Sequence, residues 1–227
     1  VPAGHRPGRG HHHHPRPEAT LIPKIHPRGT NAGRLLYYLF GPGKCKEHTN
    51  PHLVAAWNTA PPLHHLQPPR DAAGRYDLRR LTDLLEQPVH AAIRPPAKTV
   101  WHASIRNHPT DRILSDQQWA HIASKLIAAV GLAPHGDRQA VRWLAVRHAD
   151  DHIHLVATLV RQDGRTAWAW NERRHAQATC RHLEARYRLY RVGPVDHTAH
   201  RYPSAAELNK ATRLGQREIP RTRLRRE

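Results

Sequence analysis

Between Val141 and Val160 the chain reads VRWLAVRHADDHIHLVATLV, two aliphatic and β-branched runs around a short acidic turn. Alternation puts Arg142, Leu144, Val146 and His148 on one face of the first run, and His152, His154, Val156 and Thr158 on one face of the second. Paired as a hairpin with Ala149, Asp150 and Asp151 as the loop, the runs set His148 opposite His152, about 4.5–5.5 Å apart, with His154 one diagonal step away. The same patterns predict the other elements. LIPKIH is a short strand whose Pro23 suits an edge or a strand start. Asn31 caps a helix carrying the stripe Leu35, Leu36 and Leu39 and ended by Gly41-Pro42-Gly43; Tyr37 and Tyr38 both fall off that stripe. PHLVAAW is a strand or a short helix, and 58–74 a surface loop. RYDLRRLTDLLE is an amphipathic helix on Leu78, Leu81, Leu84 and Leu85, limited by Pro88.

Farther along, KTVWHASIR alternates as a strand with Val100, His102, Ser104 and Arg106 on one side. Ser115 and Gln118 form a capping box for DQQWAHIASKLIAAV, which stops at Gly131. Asp163-Gly164 marks a turn, and Trp168 and Trp170 fit a further strand, where they either stack on bases or, the safer reading, pack in the core or at its rim. Asn171 caps ERRHAQATCRHLEARYRLY, and 203–215 suggests one more helix. Strands and helices interleave while the best-defined strand pair is antiparallel. The expected class is therefore α+β, a central antiparallel sheet with helices on one or both faces.

Length and charge then narrow the picture. A chain of 227 residues with 38% hydrophobic positions holds one substantial domain, expected over 21–215. Residues 1–20 lack a hydrophobic period and are expected to be disordered, and 216–227 to be a basic tail or the start of a linker. The formal charge of +18 calls for a polyanionic partner. No signal-peptide pattern and no long apolar run appear, so membrane insertion is not expected. Cys45 and Cys180 lie far apart, without zinc-finger or disulfide spacing, which fits a reducing cytoplasm.

The hairpin carries the candidate chemistry. His148, His152 and His154 can donate three neutral nitrogens to one divalent ion, leaving positions open for an anionic substrate such as a phosphate ester. Asp150 and Asp151 are candidate acceptors for the ring N–H groups of those imidazoles, or ordinary turn residues. With 22 histidines in the chain, some meet by composition alone. His102 and Ser104 either line the same cleft or occupy an exposed strand face. Arg106, Lys44 and Lys46 add cationic groups for a polyanion.

In order along the chain, LLYYLFGPGK, WHASIR followed by LSDQQW, and HADDHIH followed by a helix ending ARYRLYRVG resemble the motifs of conjugative relaxases, the mobilisation nucleases of plasmids. These belong to the endonucleases with a histidine-hydrophobe-histidine element, and the wording is similar to relaxases of actinobacterial mobile elements. The resemblance spans roughly Leu21 to Gly215. It implies a palm-like fold and a nucleophilic tyrosine, which maps best onto Tyr38 with Tyr37 as the fallback. It also implies one divalent ion (manganese, magnesium or zinc) on His148, His152 and His154, and Ser104 in contact with DNA near the scissile phosphate. The spacer before the final histidine pair is shorter than is usual in the family, which leaves His148 the least secure ligand.

The resemblance further implies nicking and rejoining of a transfer origin through a 5′-phosphotyrosine. The implied setting is the cytoplasm, with single-stranded or melted DNA, accessory relaxosome proteins and a secretion-system coupling protein as partners, and possible transfer to a recipient cell. Three rival readings stand beside it: a rolling-circle replication initiator or transposase of the same nuclease class, a non-catalytic basic DNA-binding module, and a histidine-rich metal store.

Overall fold

The computed structural model describes residues 21–43, 48–57, 62–109, 111–189 and 214. Lys44, Lys46, Cys45, the leader 1–20, nearly all of the helix expected over 203–215 and the basic end lie outside the described residues. Every element below belongs to one compact unit, Val1–Val192.

Five strands form one antiparallel sheet: β1 (Ile22–Ile25), β2 (His52–Ala56), β3 (Val100–Arg106), β4 (Val141–Ala149) and β5 (His152–Arg161), in the order β1-β3-β5-β4-β2. Among the described residues four α-helices complete it: α1 (Ala32–Phe40), α2 (Arg79–Ala91), α3 (Asp116–Ala129) and α4 (Glu172–Tyr187). This is the α+β class that the alternation of patterns predicts, with both faces of the sheet covered.

Period-two alternation sorts the strand residues into two cores. Trp101, Ala103, Ile105, Trp143, Ala145, Ile153, Leu155 and Ala157 pack with Trp119, Ile122 and Leu126 of α3 and Cys180 and Leu183 of α4. Val100, Leu144, Val146 and Val156 face the other way and pack with Leu36, Leu39 and Phe40 of α1 and Leu81 and Leu85 of α2. Along this second face the apolar residues give way to polar ones toward one end of three adjacent strands. His102 pairs with Val156, Ser104 with His154 and Arg106 with His152, while Val146 pairs with His154. The candidate site residues are therefore the continuation of a core face, on the side of the sheet that α1 covers.

Local signals explain most boundaries. Asn31 accepts a hydrogen bond from Arg34 N at 2.6 Å as the N-cap of α1, and Ser115 with Gln118 makes the capping box of α3. Four expectations need correction. Pro88 sits inside α2 instead of limiting it. The Leu84 carbonyl, which a proline four residues on cannot bond, accepts from the Arg142 guanidinium instead. Asn171 precedes α4 but has a left-handed backbone (φ 50°) and no side-chain cap. Trp168 and Trp170 lie on no strand and are 65% and 76% exposed, so neither core nor rim packing holds them. Finally, the β4–β5 loop is only Asp150-Asp151, because Ala149 joins β4 and pairs with His152.

Candidate functional site

That shorter loop decides where His148 points. A two-residue loop continued by strict alternation would pair His148 with Ile153 and turn its ring to the α3/α4 face. Instead β4 carries a bulge between Arg147 and Ala149, so Arg147 pairs with Ile153 and Ala149 with His152, with His148 as the extra residue. The result restores the expected cluster. The His148 ring lies 4.6 Å from His152 and 4.8 Å from His154 between centroids.

A side chain on the opposite face braces the bulge. Arg147, with its side chain 11% exposed, donates from Nε to the Ala149 carbonyl at 3.2 Å and from Nη2 to the Asp150 carbonyl at 3.3 Å. Its Nη1 is held by Asp116 Oδ1 at 2.6 Å, and Asp116 Oδ2 in turn meets His52 Nε2 at 3.2 Å. Asp116 stays ionised below the usual carboxylate range because the hydrogen bonds from Arg147 and His52 outweigh its partial burial. Replacing Arg147 with Met keeps the stem and removes all these donors. Arg147→Met is expected to weaken binding of Mn2+ by roughly 10- to 100-fold, read by calorimetry without DNA, with the far-ultraviolet circular dichroism unchanged. Unaltered affinity would show that the bulge holds without the guanidinium.

Two overlapping histidine groups occupy the face. One nitrogen from each of His148, His152 and His154 lies within 4.8 Å of the others, and the same is true of His26, His102 and His154. His102 Nε2 and His154 Nδ1 are 2.8 Å apart, one donating to the other. His26 stacks on His102 at 4.1 Å and its Nε2 is 3.1 Å from Ser104 Oγ. Burial, joined by repulsion from His26 and Lys24, pushes His102 down to about 3. His154 is driven far below the ordinary histidine range by burial and then by the four imidazoles around it, and His26 is lowered by burial and Lys24. These rings are therefore neutral near pH 7, the form that offers a lone pair. In either group, three convergent imidazole nitrogens are a donor set that fits a divalent ion.

The two aspartates part ways. Asp151 Oδ1 meets His152 Nδ1 at 2.5 Å, and its other oxygen lies 3.4 Å from Arg106 Nε. Burial opposes ionisation of Asp151, but the His152 hydrogen bond and Arg106 win and hold it below the usual range. Asp151 thus fixes the His152 ring so that Nε2 is the nitrogen left for an ion. Asp150 does not reach a histidine: its carboxylate is 76% exposed and lies 3.4 Å from Arg147 Nη2.

Tyr38 stands beside this cluster. The leucine stripe of α1 seats the helix on the core, which leaves Tyr38 43% and Tyr37 73% exposed. Tyr38 meets the edge of the His48 ring at 5.4 Å, and His48 packs on His148 at 3.7 Å. His48 is fixed by its Nδ1 at 2.9 Å from the Gly41 carbonyl at the end of α1, while the neighbouring Thr49 N–H donates to the His148 carbonyl at 3.0 Å. A continuous row of rings therefore joins Tyr38 to the histidine face. His26 and His48 are absent from the residues singled out in the sequence. Alternation in IPKIH could have found His26, which shares a face with Ile22 and Lys24, whereas nothing in the local pattern around His48 marks it.

Residues 78–189 match the family Relaxase: MobA/VirD2-like, nuclease domain. The match covers α2, β3, α3, β4, β5 and α4, including His102, Ser104 and the hairpin histidines, and begins after His26, which follows β1, and after α1, which carries Tyr38. No curated protein and no solved structure matches the chain. Among the described residues no helix is long and apolar enough to cross a membrane. The match supports DNA nicking and single-stranded DNA binding as the class of activity, and the histidine groups can hold a metal ion. By that family match the chain carries, over residues 78–189, a MobA/VirD2-like relaxase nuclease domain.

Proposed function

We propose that the protein nicks and rejoins one strand of a plasmid transfer origin, with Tyr38 as nucleophile and a divalent ion held by His148, His152 and His154. The observation that carries this reading is the row Tyr38–His48–His148, which brings a half-exposed phenol to within two ring contacts of the imidazole cluster. Phenol loses its proton only near pH 10, and a phosphodiester repels an anion, so the site needs positive charge at the phosphate. A bound divalent ion would supply that charge.

Tyr38 Oη, its proton released to solvent, attacks phosphorus; the P–O3′ bond breaks and the departing 3′ oxygen takes up a proton. One phosphate ester replaces another, which keeps the bond available for rejoining. Asp151 orients His152 while His102 orients His154. His26 and Ser104, hydrogen-bonded to one another, extend the polar face toward the DNA together with Arg106. Lys44 and Lys46, which follow α1 directly in sequence, are proposed to add phosphate contacts. The surplus of positive charge grips the backbone of the strand. The partners and setting implied by this activity are accessory relaxosome proteins, a coupling protein, the donor cytoplasm and, after transfer, the recipient cell.

The test is to incubate the protein and Mn2+ with labelled single-stranded transfer-origin DNA, then separate the products under denaturing conditions. A labelled band at protein mass, lost with EDTA, supports the reading; DNA bound but never linked refutes it. Binding itself is expected to weaken about 100-fold between 50 and 200 mM salt for every five phosphates contacted. A flat salt response would remove the backbone grip from the proposal.

A further inference from the structure

Tyr37 has no part in this scheme, yet it is a large aromatic side chain left 73% exposed beside the candidate nucleophile. It forms one wall of a cavity of about 310 Å3 whose other walls include Phe40, Pro42, His48, Arg70 and Tyr76. The far wall is built in advance. The Arg70 guanidinium lies over the Tyr76 ring, 4.4 Å from its centroid, and also bonds the Tyr76 hydroxyl. That hydroxyl donates to the Pro51 carbonyl at 2.5 Å, and Phe40 packs edge-on against the same ring at 5.0 Å. His48 lines this cavity and also touches Tyr38, so the two sites share a wall.

The lining states what fits. An exposed phenol ring, a guanidinium plane and an apolar floor suit a flat π-system, and the arginine adds charge for an anion attached to it. The volume lies at the small end of the range of ligand pockets, about 300–1,000 Å3, which suits a single planar ring system. A nucleobase with its phosphate has that shape and charge, and single-stranded DNA is held elsewhere by the same pairing of aromatic faces and cations.

We infer that this cavity is a nucleotide subsite, in which one base next to the scissile phosphate lies against Tyr37 and its phosphate meets Arg70. The inference rests on the proposed nicking reading for its location. It divides the labour of the tyrosine pair: Tyr38 attacks and Tyr37 stacks.

Photocrosslinking of the full chain to a mixed-sequence single-stranded 30-mer carrying 5-iododeoxyuridine in place of thymidine tests it, with the linked peptide identified by mass spectrometry. The experiment uses the Tyr38→Phe variant, so that a crosslink owes nothing to strand cleavage. The expected result is a crosslink at Tyr37 or Tyr76. Tyr37→Ala is expected to lower affinity for the same DNA roughly 5- to 100-fold, Tyr37→Phe to restore it, and Arg70→Gln to weaken it without changing the Mn2+ affinity. Crosslinks confined to other segments, with Tyr37→Ala binding within twofold of the parent, would overturn the subsite. The two readings fail separately. A crosslink at Tyr37 or Tyr76 with no covalent adduct in the parent protein keeps the subsite and removes Tyr38 as nucleophile, whereas an adduct with crosslinks confined to other segments and Tyr37→Ala binding within twofold does the reverse.

Discussion

Tyr38→Phe is expected to eliminate the covalent protein–DNA adduct and to lower strand cleavage by on the order of 10^4-fold or more, the scale seen when a nucleophile is deleted from a site that acts as a unit. The substitution removes one oxygen and leaves the ring, so the edge contact with His48 at 5.4 Å and the seat of α1 on Leu36 and Leu39 persist. Stability is expected to change by no more than about 0.5 kcal/mol, as for other changes at a partly exposed position. Affinity for single-stranded DNA at matched salt is expected to stay within a few fold, since the backbone grip does not depend on the phenol. Tyr37→Phe provides the contrast. Its ring remains in the neighbouring cavity, and the adduct is expected to form at close to the parent rate. An adduct that survives Tyr38→Phe and disappears with Tyr37→Phe would exchange the two roles.

The parts of this site written into the sequence are those that depend on alternation and on capping. His152 and His154 sit two apart on a strand, so they share a face whatever else happens, and His102 and Ser104 join them once β3 lies beside β5. Asn31 and the leucines of α1 fix where that helix starts and which side it buries. Long-range facts were less legible. The position of His148 depends on a bulge braced by Arg147 from the opposite face, and the guanidinium that braces it is anchored on Asp116, 31 residues earlier in the chain. Pro88 reads as a helix terminator because the compensating donor, Arg142, lies 54 residues away. His48 enters through a loop tied to Gly41 and to His148, and His26 just past an edge strand, where its backbone N–H donates to the His102 carbonyl, so neither looks special until the sheet is assembled. Trp168 and Trp170 show the converse: residue type suggested burial, but the segment crosses no core.

The same burial that makes the imidazoles good ligands should make the metal-free protein sensitive to mild acid. In the unfolded chain a histidine titrates near 6.5, whereas folded His102 is held at about 3 and His154 far below its ordinary value. Below pH 6.5 the unfolded state therefore binds protons that the folded state refuses, and stability must fall as pH falls. For His102 the loss begins at 6.5 and continues until the folded ring itself protonates near 3. Each such ring adds a slope of up to about 1.4 kcal/mol per pH unit, so the pair can contribute about 3 kcal/mol per unit. His26, His148, His152 and Lys24 surround them with groups that repel a proton. Asp151 and Asp116, whose carboxyls are also held low, extend the acid loss below pH 4. Urea denaturation in EDTA at pH 7.5, 6.5, 6.0 and 5.5 is expected to show a level midpoint down to about 6.5 and a steep decline beneath it. His102→Leu should roughly halve the slope, and saturating Mn2+ should restore stability at pH 6 by favouring neutral imidazoles. A midpoint that stays level to pH 5.5 would mean that solvent reaches these rings and that the neutral donor set on which cation binding depends is not built into the fold.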